Sequence, residues 1–492
     1  MSVHPLDLPE VLAVVGNFLP LWEQEYDPVH NRYTTRFNPA TLRACIMVSK
    51  LWHQTLLPIL WTTYDYRVIT DAPSKELVTR LFSLHFRVVR VIDSTTGLLS
   101  DCTQLVELTI DTCTATTFEW LPPSPLKALV RANPGLRRLD WRGRSKSVSF
   151  DLEDVDGLEN LEDLRLAQWG FTSGRLPRLL RKLARTLKTL HLSSIHGITS
   201  GELMAPPLFL GLDTDRNRIQ TNATTTQHGD YLKMERLETI VVGSRVLISD
   251  FPAELVRCCP ALRELTVNVF CYPSNYNNPL ADSVRIYCPK LRSLTLDTQC
   301  TIRGCVLDLV KNTSTGGLRK LHFGPAGDGD SSLILDVLRL HATTLEDLRL
   351  SSSDSADFQL YARLFTECPN LKAVTLFFHV ECGTGPIFLG TLLASHPSWV
   401  CQNLERLEIG PCMSPRPEAD LEEADLEEAR ILSLWPPGPV FHVGGTLRTM
   451  NPERQEKIAG RMGKIVMQQL FEKVETLKSF TVDGCVFTSA PR

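Results

Sequence analysis

The residues with the best claim to chemistry are Gly460-Arg-Met-Gly463-Lys464 and the run GPAGDGD at 324–330. A complete phosphate loop would cradle phosphate on backbone amides and a lysine, with Ser or Thr on magnesium. Here Ile458 stands where the first glycine is needed, and Ile465 stands where the hydroxyl is needed. The segment reads instead as one face of a helix. The second run lacks the order G-x-G-x-x-G and reads as a loop within a repeat. The twelve histidines include no H-E-x-x-H and no paired metal-ligand spacing. No G-x-S-x-G elbow occurs. Fourteen cysteines are scattered without a C-x-x-C pair, and read as reduced, buried small hydrophobes. No catalytic residue, metal or cofactor is expected.

The elements that would position any functional group are repeats. A pattern L-x-x-L-x-L begins at Leu105, Leu136, Leu161, Leu187, Leu237, Leu262, Leu291, Leu318, Leu345, Leu371, Leu404 and Leu477. Most starts lie close to the period of leucine-rich repeats, stretched in places. In a strand, alternate side chains share a face, so the fourth and sixth positions enter a core. A helix carries the chain back. In 251–262, Leu255, Val256 and Cys259 have helical spacing, and Pro260 stops the helix. The expected fold class is α/β: a leucine-rich-repeat solenoid, parallel strands inside and helices outside, preceded by a small all-α domain. FRVVRVID (86–93) is expected as a weak first repeat. Two gaps hold the polar stretch 213–230 and the acidic, turn-rich stretch 411–446, both expected as disordered insertions.

The third and fifth positions of each strand point away from the core and would line a concave face. Their charge is mixed and rich in threonine, which suits a protein partner better than nucleic acid. Arg165, His191, His322 and Arg349, with the strand-adjacent aromatics Trp141 and Phe377, are the expected contacts for a protein target. The target's identity is not encoded.

Residues 1–64 do not follow the repeat and read as helices over 8–19 and 38–61, with Asn38 as cap and Pro39 in the first turn. The segment resembles an F-box. Leu8, Pro9 and Glu10 match its opening, and Val11, Leu12, Val15 and Leu19 its first apolar helix. Leu42, Cys45, Val48 and Trp52 match its second helix, and Leu60 and Trp61 its close. The resemblance implies that Leu8, Pro9, Val11, Leu12, Leu42, Cys45, Val48, Trp52, Leu60 and Trp61 dock a Skp-type adaptor. Through the adaptor the chain would reach a cullin–RING ligase. The combination with repeats is similar to F-box proteins abundant in fungi. Residues 20–37 depart from the pattern as an insertion between the helices. The domains expected are therefore 1–64, F-box-like, and 65–492, the solenoid.

The net charge of −4 and pI near 6.3 carry no basic excess for nucleic acid or membrane. No signal segment and no membrane span is read from the sequence, so cytoplasm or nucleus is expected. Two functions fit: the substrate-recognition subunit of an SCF-type ubiquitin ligase, or a ligase-independent interaction scaffold whose first helices merely cap the solenoid.

Overall fold

The computed structural model describes residues 8–19, 22–27, 32–38, 40–65, 72–92, 99, 101–111, 124–142, 157–171, 175–195, 232–243, 251–269, 279–298, 309–311, 313, 317–326, 336, 338–352, 364–378, 400–411, 477, 479–482 and 485–488. The expected insertion 213–230, the stretch 412–446 and the phosphate-loop-like 460–464 lie outside them. The chain divides into two compact units, Met1–Leu237 and Glu238–Arg492.

The first unit opens with helix α1 (Pro9–Phe18). Residues 20–37, read as an insertion, contain an antiparallel pair, β1 (Trp22–Asp27) and β2 (Arg32–Phe37), in register from Trp22↔Phe37 to Asp27↔Arg32. Where one helix was expected over 38–61 there are two, α2 (Ala40–Ile46) and α3 (Lys50–Leu60). Asn38 Oδ1 accepts from the Ala40 amide at the start of α2. Ser49 makes the break: its backbone is extended, and its hydroxyl accepts from the Trp52 amide at 3.2 Å, capping α3. Leu42, Ile46, Leu56 and Ile59 form the core of the helical segment. Gly16 lets α1 close on α3, because a Cβ there would lie 2.6 Å from Leu56 Cδ2.

Six parallel strands follow in chain order: β3 (Thr63–Asp65), β4 (Val88–Ile92), β5 (Glu107–Asp111), β6 (Arg138–Arg142), β7 (Asp163–Ala167) and β8 (Thr189–Ser193). Helices α4 (Ala72–Phe82), α5 (Ser124–Arg131) and α6 (Arg175–Leu183) lie between them in sequence. The second unit carries β9 (Thr239–Val242), α7 (Phe251–Arg257), β10 (Glu264–Val269), α8 (Pro279–Tyr287), β11 (Ser293–Thr298), β12 (Lys320–Ala326), β13 (Asp347–Ser352), β14 (Ala373–Phe378), β15 (Arg406–Pro411), β16 (Ser479–Val482) and β17 (Cys485–Thr488). Strands β9 to β16 are parallel, and β17 returns antiparallel on β16.

All twelve L-x-x-L-x-L segments thus contain strands, and the weak repeat at 86–93 contains β4. The alternation is as the motif requires: Leu108 and Ile110, Leu164 and Leu166, and Leu294 and Leu296 point inward and are buried. Each such side chain contributes about 2 kcal/mol of apolar burial. Neighbouring repeats are also tied through their backbones. The Arg137 amide donates to Val106 O, and the Lys188 amide to Glu162 O, each at 2.8 Å. This is the nearest-neighbour stacking of a leucine-rich-repeat solenoid.

Three buried devices close the repeats. Cys259, Cys288, Cys368 and Cys401 all precede a repeat leucine by three residues and are buried. Burial pushes the thiols of Cys288, Cys368 and Cys401 up to about 12, and Cys259 Sγ donates to Leu255 O at 3.0 Å. Asn133 holds the same position in the first unit. It accepts from the Leu105 amide at 2.8 Å and donates to Cys102 O and Leu129 O at 2.6 and 2.7 Å. At the turn after β7 stands Trp169, whose indole N–H donates to Trp141 O in the neighbouring repeat at 3.0 Å.

His341 does similar work in the second unit. Its Nδ1 accepts from the Leu318 amide at 3.2 Å, so Nε2 carries the proton and faces Val310 O at 3.1 Å. Burial holds its pKa below the ordinary histidine value. A second proton would set two donors against each other at Leu318. A lowered folded-state pKa means stability that is present above the unfolded value of about 6.5 and lost as pH falls below it. Urea midpoints measured at pH 7.5 and 5.5 should therefore fall less for His341→Gln than for the unaltered chain. The ceiling for one group is about 1.4 kcal/mol per pH unit.

Candidate functional site

The outward sheet positions form two rows, one in each unit. In the first, Asp65, Arg90, Thr109, Asp140, Arg165 and His191 are cross-strand partners on β3 to β8. Arg90 reaches the buried Asp65 carboxylate at 3.5 Å. Arg165 grips Asp163 with two bonds of 3.1 Å, and this pair raises the guanidinium pKa. Arg138 lies 3.5 Å from the same carboxylate, and Arg142 lies 3.6 Å from Asp140. Burial, then the nearby Arg165 cation, pushes His191 below its ordinary value, so at neutral pH it offers a neutral ring beside charged neighbours. The arrangement is a preorganised polar surface, suited to a partner with matching charges.

The second row runs Val241, Thr266, Thr295, His322, Arg349, Thr375, Glu408 and Thr481 on β9 to β16. His322 Nε2 lies 3.5 Å from Asp347, and its hydrogen bond holds that carboxyl below the usual range. Thr375 donates to Glu408 at 3.3 Å. Arg349 is exposed. Arg165 and His191 are thus adjacent in one unit, and His322 and Arg349 adjacent in the other.

Trp141 does not belong to this surface. It occupies the sixth position, is 3% exposed, and packs edge-on against Trp169 with ring centroids 5.0 Å apart. The alternation that buries Leu166 on β7 buries Trp141 on β6, so its bulk serves the core. Phe377 pairs in register with Ser351 and Gly410, and its side chain lies outside the described residues. The run at 324–330 also differs from expectation: Gly324, Pro325 and Ala326 continue β12, with a register shift between His322 and Pro325. Residues 327–330 lie outside the described residues. Among the described residues no group of three or more His, Cys, Asp or Glu could hold a metal ion. No helix among them is long and apolar enough to cross a membrane.

The helical segment separates its F-box-like residues into two sets. Leu12 and Leu42 are 0% and 1% exposed and bind the helices together. They offer no surface to an adaptor. Cys45, Trp52 and Leu60 are half-buried against the same core. Trp61 stacks on Phe82 at 4.5 Å and ties the segment to α4. Val11 is half-buried, whereas Leu8, Pro9 and Val48 are exposed. Exposed with them are Val14, Val15, Phe18 and Met47, with Phe18 at 83% and Met47 at 79%. Val14, Val15, Phe18 and Met47 were not among the expected contacts, although Val15 was matched to the first apolar helix. The signal for Phe18 was its spacing of ten from Leu8 and three from Val15 along one helical face.

No family model matches this chain. No curated protein matches it either. Among solved structures, the Rad7–Elc1 complex of yeast is 16% identical over 69% of this chain and 81% of that one, with a TM-score of 0.40. The TLR13–ssRNA13 complex is 15% identical over 67% and 41%, with a TM-score of 0.32. An internalin from Listeria monocytogenes is 13% identical over 83% and 95%, with a TM-score of 0.33. The chain is similar to each of these at low identity, and its assignment as a leucine-rich-repeat solenoid rests on its own strands, register and buried leucines.

Proposed function

We propose that this chain is the substrate-recognition subunit of an SCF-type ubiquitin ligase, with residues 1–64 docking a Skp-type adaptor and residues 65–492 holding a protein target. The observation that carries the proposal is the two-faced helix α1. Leu12 and Gly16 turn inward, while Leu8, Val14, Val15 and Phe18 stay exposed. Apolar side chains left in water on a short helical unit favour a partner that covers them. Met47 and Val48, exposed at the end of α2, add to the surface on offer. The outward sheet rows then present fixed polar side chains to the target. Ubiquitin transfer belongs to the partner subunits, in the cytoplasm or nucleus.

The test is a pull-down of a Skp-type adaptor by the full chain. Phe18→Asp with Val48→Asp should cut retained adaptor at least tenfold, with circular dichroism unchanged because both side chains are exposed. No retention by the unaltered, folded chain would sink the ligase reading. The scaffold reading would then stand. It is favoured by the stacking of Trp61 on Phe82, which joins the helices to the first repeats whatever they bind.

A further inference from the structure

A cavity of about 480 Å³ opens in the second unit at the start of strands β11 to β14. Its charged lining is Lys290, Arg292, Arg319 and Lys372 against the single carboxylate of Glu346. The imbalance follows from the second position of the repeat, which carries Glu238, Arg263, Arg292, Arg319, Glu346 and Lys372 on successive strands. From Arg263 onward the amide of each donates to the carbonyl of the one before at 2.8 Å. Their side chains therefore start one strand spacing apart, about 4.8 Å.

Elsewhere in this row opposite charges meet. Arg263 faces Glu238 at 3.9 Å, and Glu346 takes both Arg319 at 3.4 Å and Lys372 at 2.8 Å. Arg292 has an arginine on either side. Neither it nor Lys290 has a carboxylate within 4.0 Å among the described residues. The row therefore leaves Arg292 and Lys290 as positive charges that no carboxylate among the described residues offsets. An anion in the cavity would supply the missing negative charge. Arginine forks suit planar bidentate contact with phosphate oxygens, and lysine adds a point charge. The volume is that of a small-molecule site.

We propose that this cavity binds a small molecule carrying two linked phosphate groups, held chiefly by Arg292 and Lys290. The site is independent of what the N-terminal helices bind. Calorimetry of the full chain with inorganic pyrophosphate, at about 0.15 M salt, should give saturable one-site binding, with orthophosphate at least tenfold weaker. Lys290→Gln with Arg292→Gln should weaken pyrophosphate at least tenfold. Arg263→Gln, whose partner is Glu238, should leave it within about twofold, which separates a built site from general attraction. In the unaltered chain, pyrophosphate should also slow acetylation of Lys290 but not of exposed Lys233, a readout that needs no variant. Three results would overturn the proposal: no saturable binding, equal loss in Arg263→Gln, or a phosphoserine peptide that binds where pyrophosphate does not.

Discussion

Asn133→Ala should lower the unfolding free energy by about 3 kcal/mol, read as a shift in the urea midpoint. The side chain is 1% exposed and satisfies three backbone groups, the Leu105 amide and the Cys102 and Leu129 carbonyls. Alanine leaves the amide and at least one carbonyl buried without a partner, and each such orphan costs about 1–3 kcal/mol. Two of the three groups belong to the preceding repeat, so the loss also weakens stacking between neighbours. Asn133→Asp discriminates the mechanism. It can still accept from Leu105, but it cannot donate to either carbonyl, and it buries a charge. A destabilisation below about 1 kcal/mol for both variants would show that water enters and replaces the asparagine.

Gly317→Ala should cost a comparable amount for a different reason. Gly317 has φ +74°, the left-handed region, where an L side chain costs about 1 kcal/mol. An added Cβ would also fall 2.2 Å from Thr344 Oγ1 and 2.9 Å from Thr344 Cβ. Thr344 cannot swing away cheaply, because it is β-branched and its hydroxyl donates to Leu318 O at 2.8 Å. The sum is about 3 kcal/mol or more. The double variant Gly317→Ala with Thr344→Ala removes the clash but not the backbone strain. A double-mutant cycle should therefore show positive coupling above 1 kcal/mol. Additive effects would mean that the backbone yields instead.

The repeats were legible because period-two burial leaves a period-two pattern. From Leu105 to Leu477 each motif marked a strand, and where both core side chains are described, as at Leu164 and Leu166, they are buried; the error at Trp141 arose from ranking it by residue type rather than by its sixth-position parity. Strand β3 escaped because three residues around Tyr64 carry no motif; its place is set by pairing with β4. The hairpin at 20–37 escaped for a related reason, since its strands pair with each other rather than joining the repeat row. In the helical segment, sequence similarity could list apolar positions. It could not say that Leu12 and Gly16 turn inward while Phe18 stays outside, because that depends on how closely α1 approaches α3. The cavity was invisible because the second repeat position carries no apolar signature. Only the strand order shows that Arg263, Arg292 and Arg319 are successive neighbours.

Strand β17 has a consequence for self-association. A ladder of parallel strands, each offering its neighbour the same backbone groups, is a template on which another copy could extend the series into a filament. Here the row of parallel strands ends where β17 turns back on β16, with Cys485 opposite Val482 and Thr488 opposite Ser479. Among the described residues the strand at that edge is four residues long and runs against the polarity of the row. The strand at the start of the first unit's sheet, β3, is only three residues long. Short edges of this kind are how natural sheets discourage runaway polymerisation. The strands at both edges of the described repeats are thus poor templates for extension.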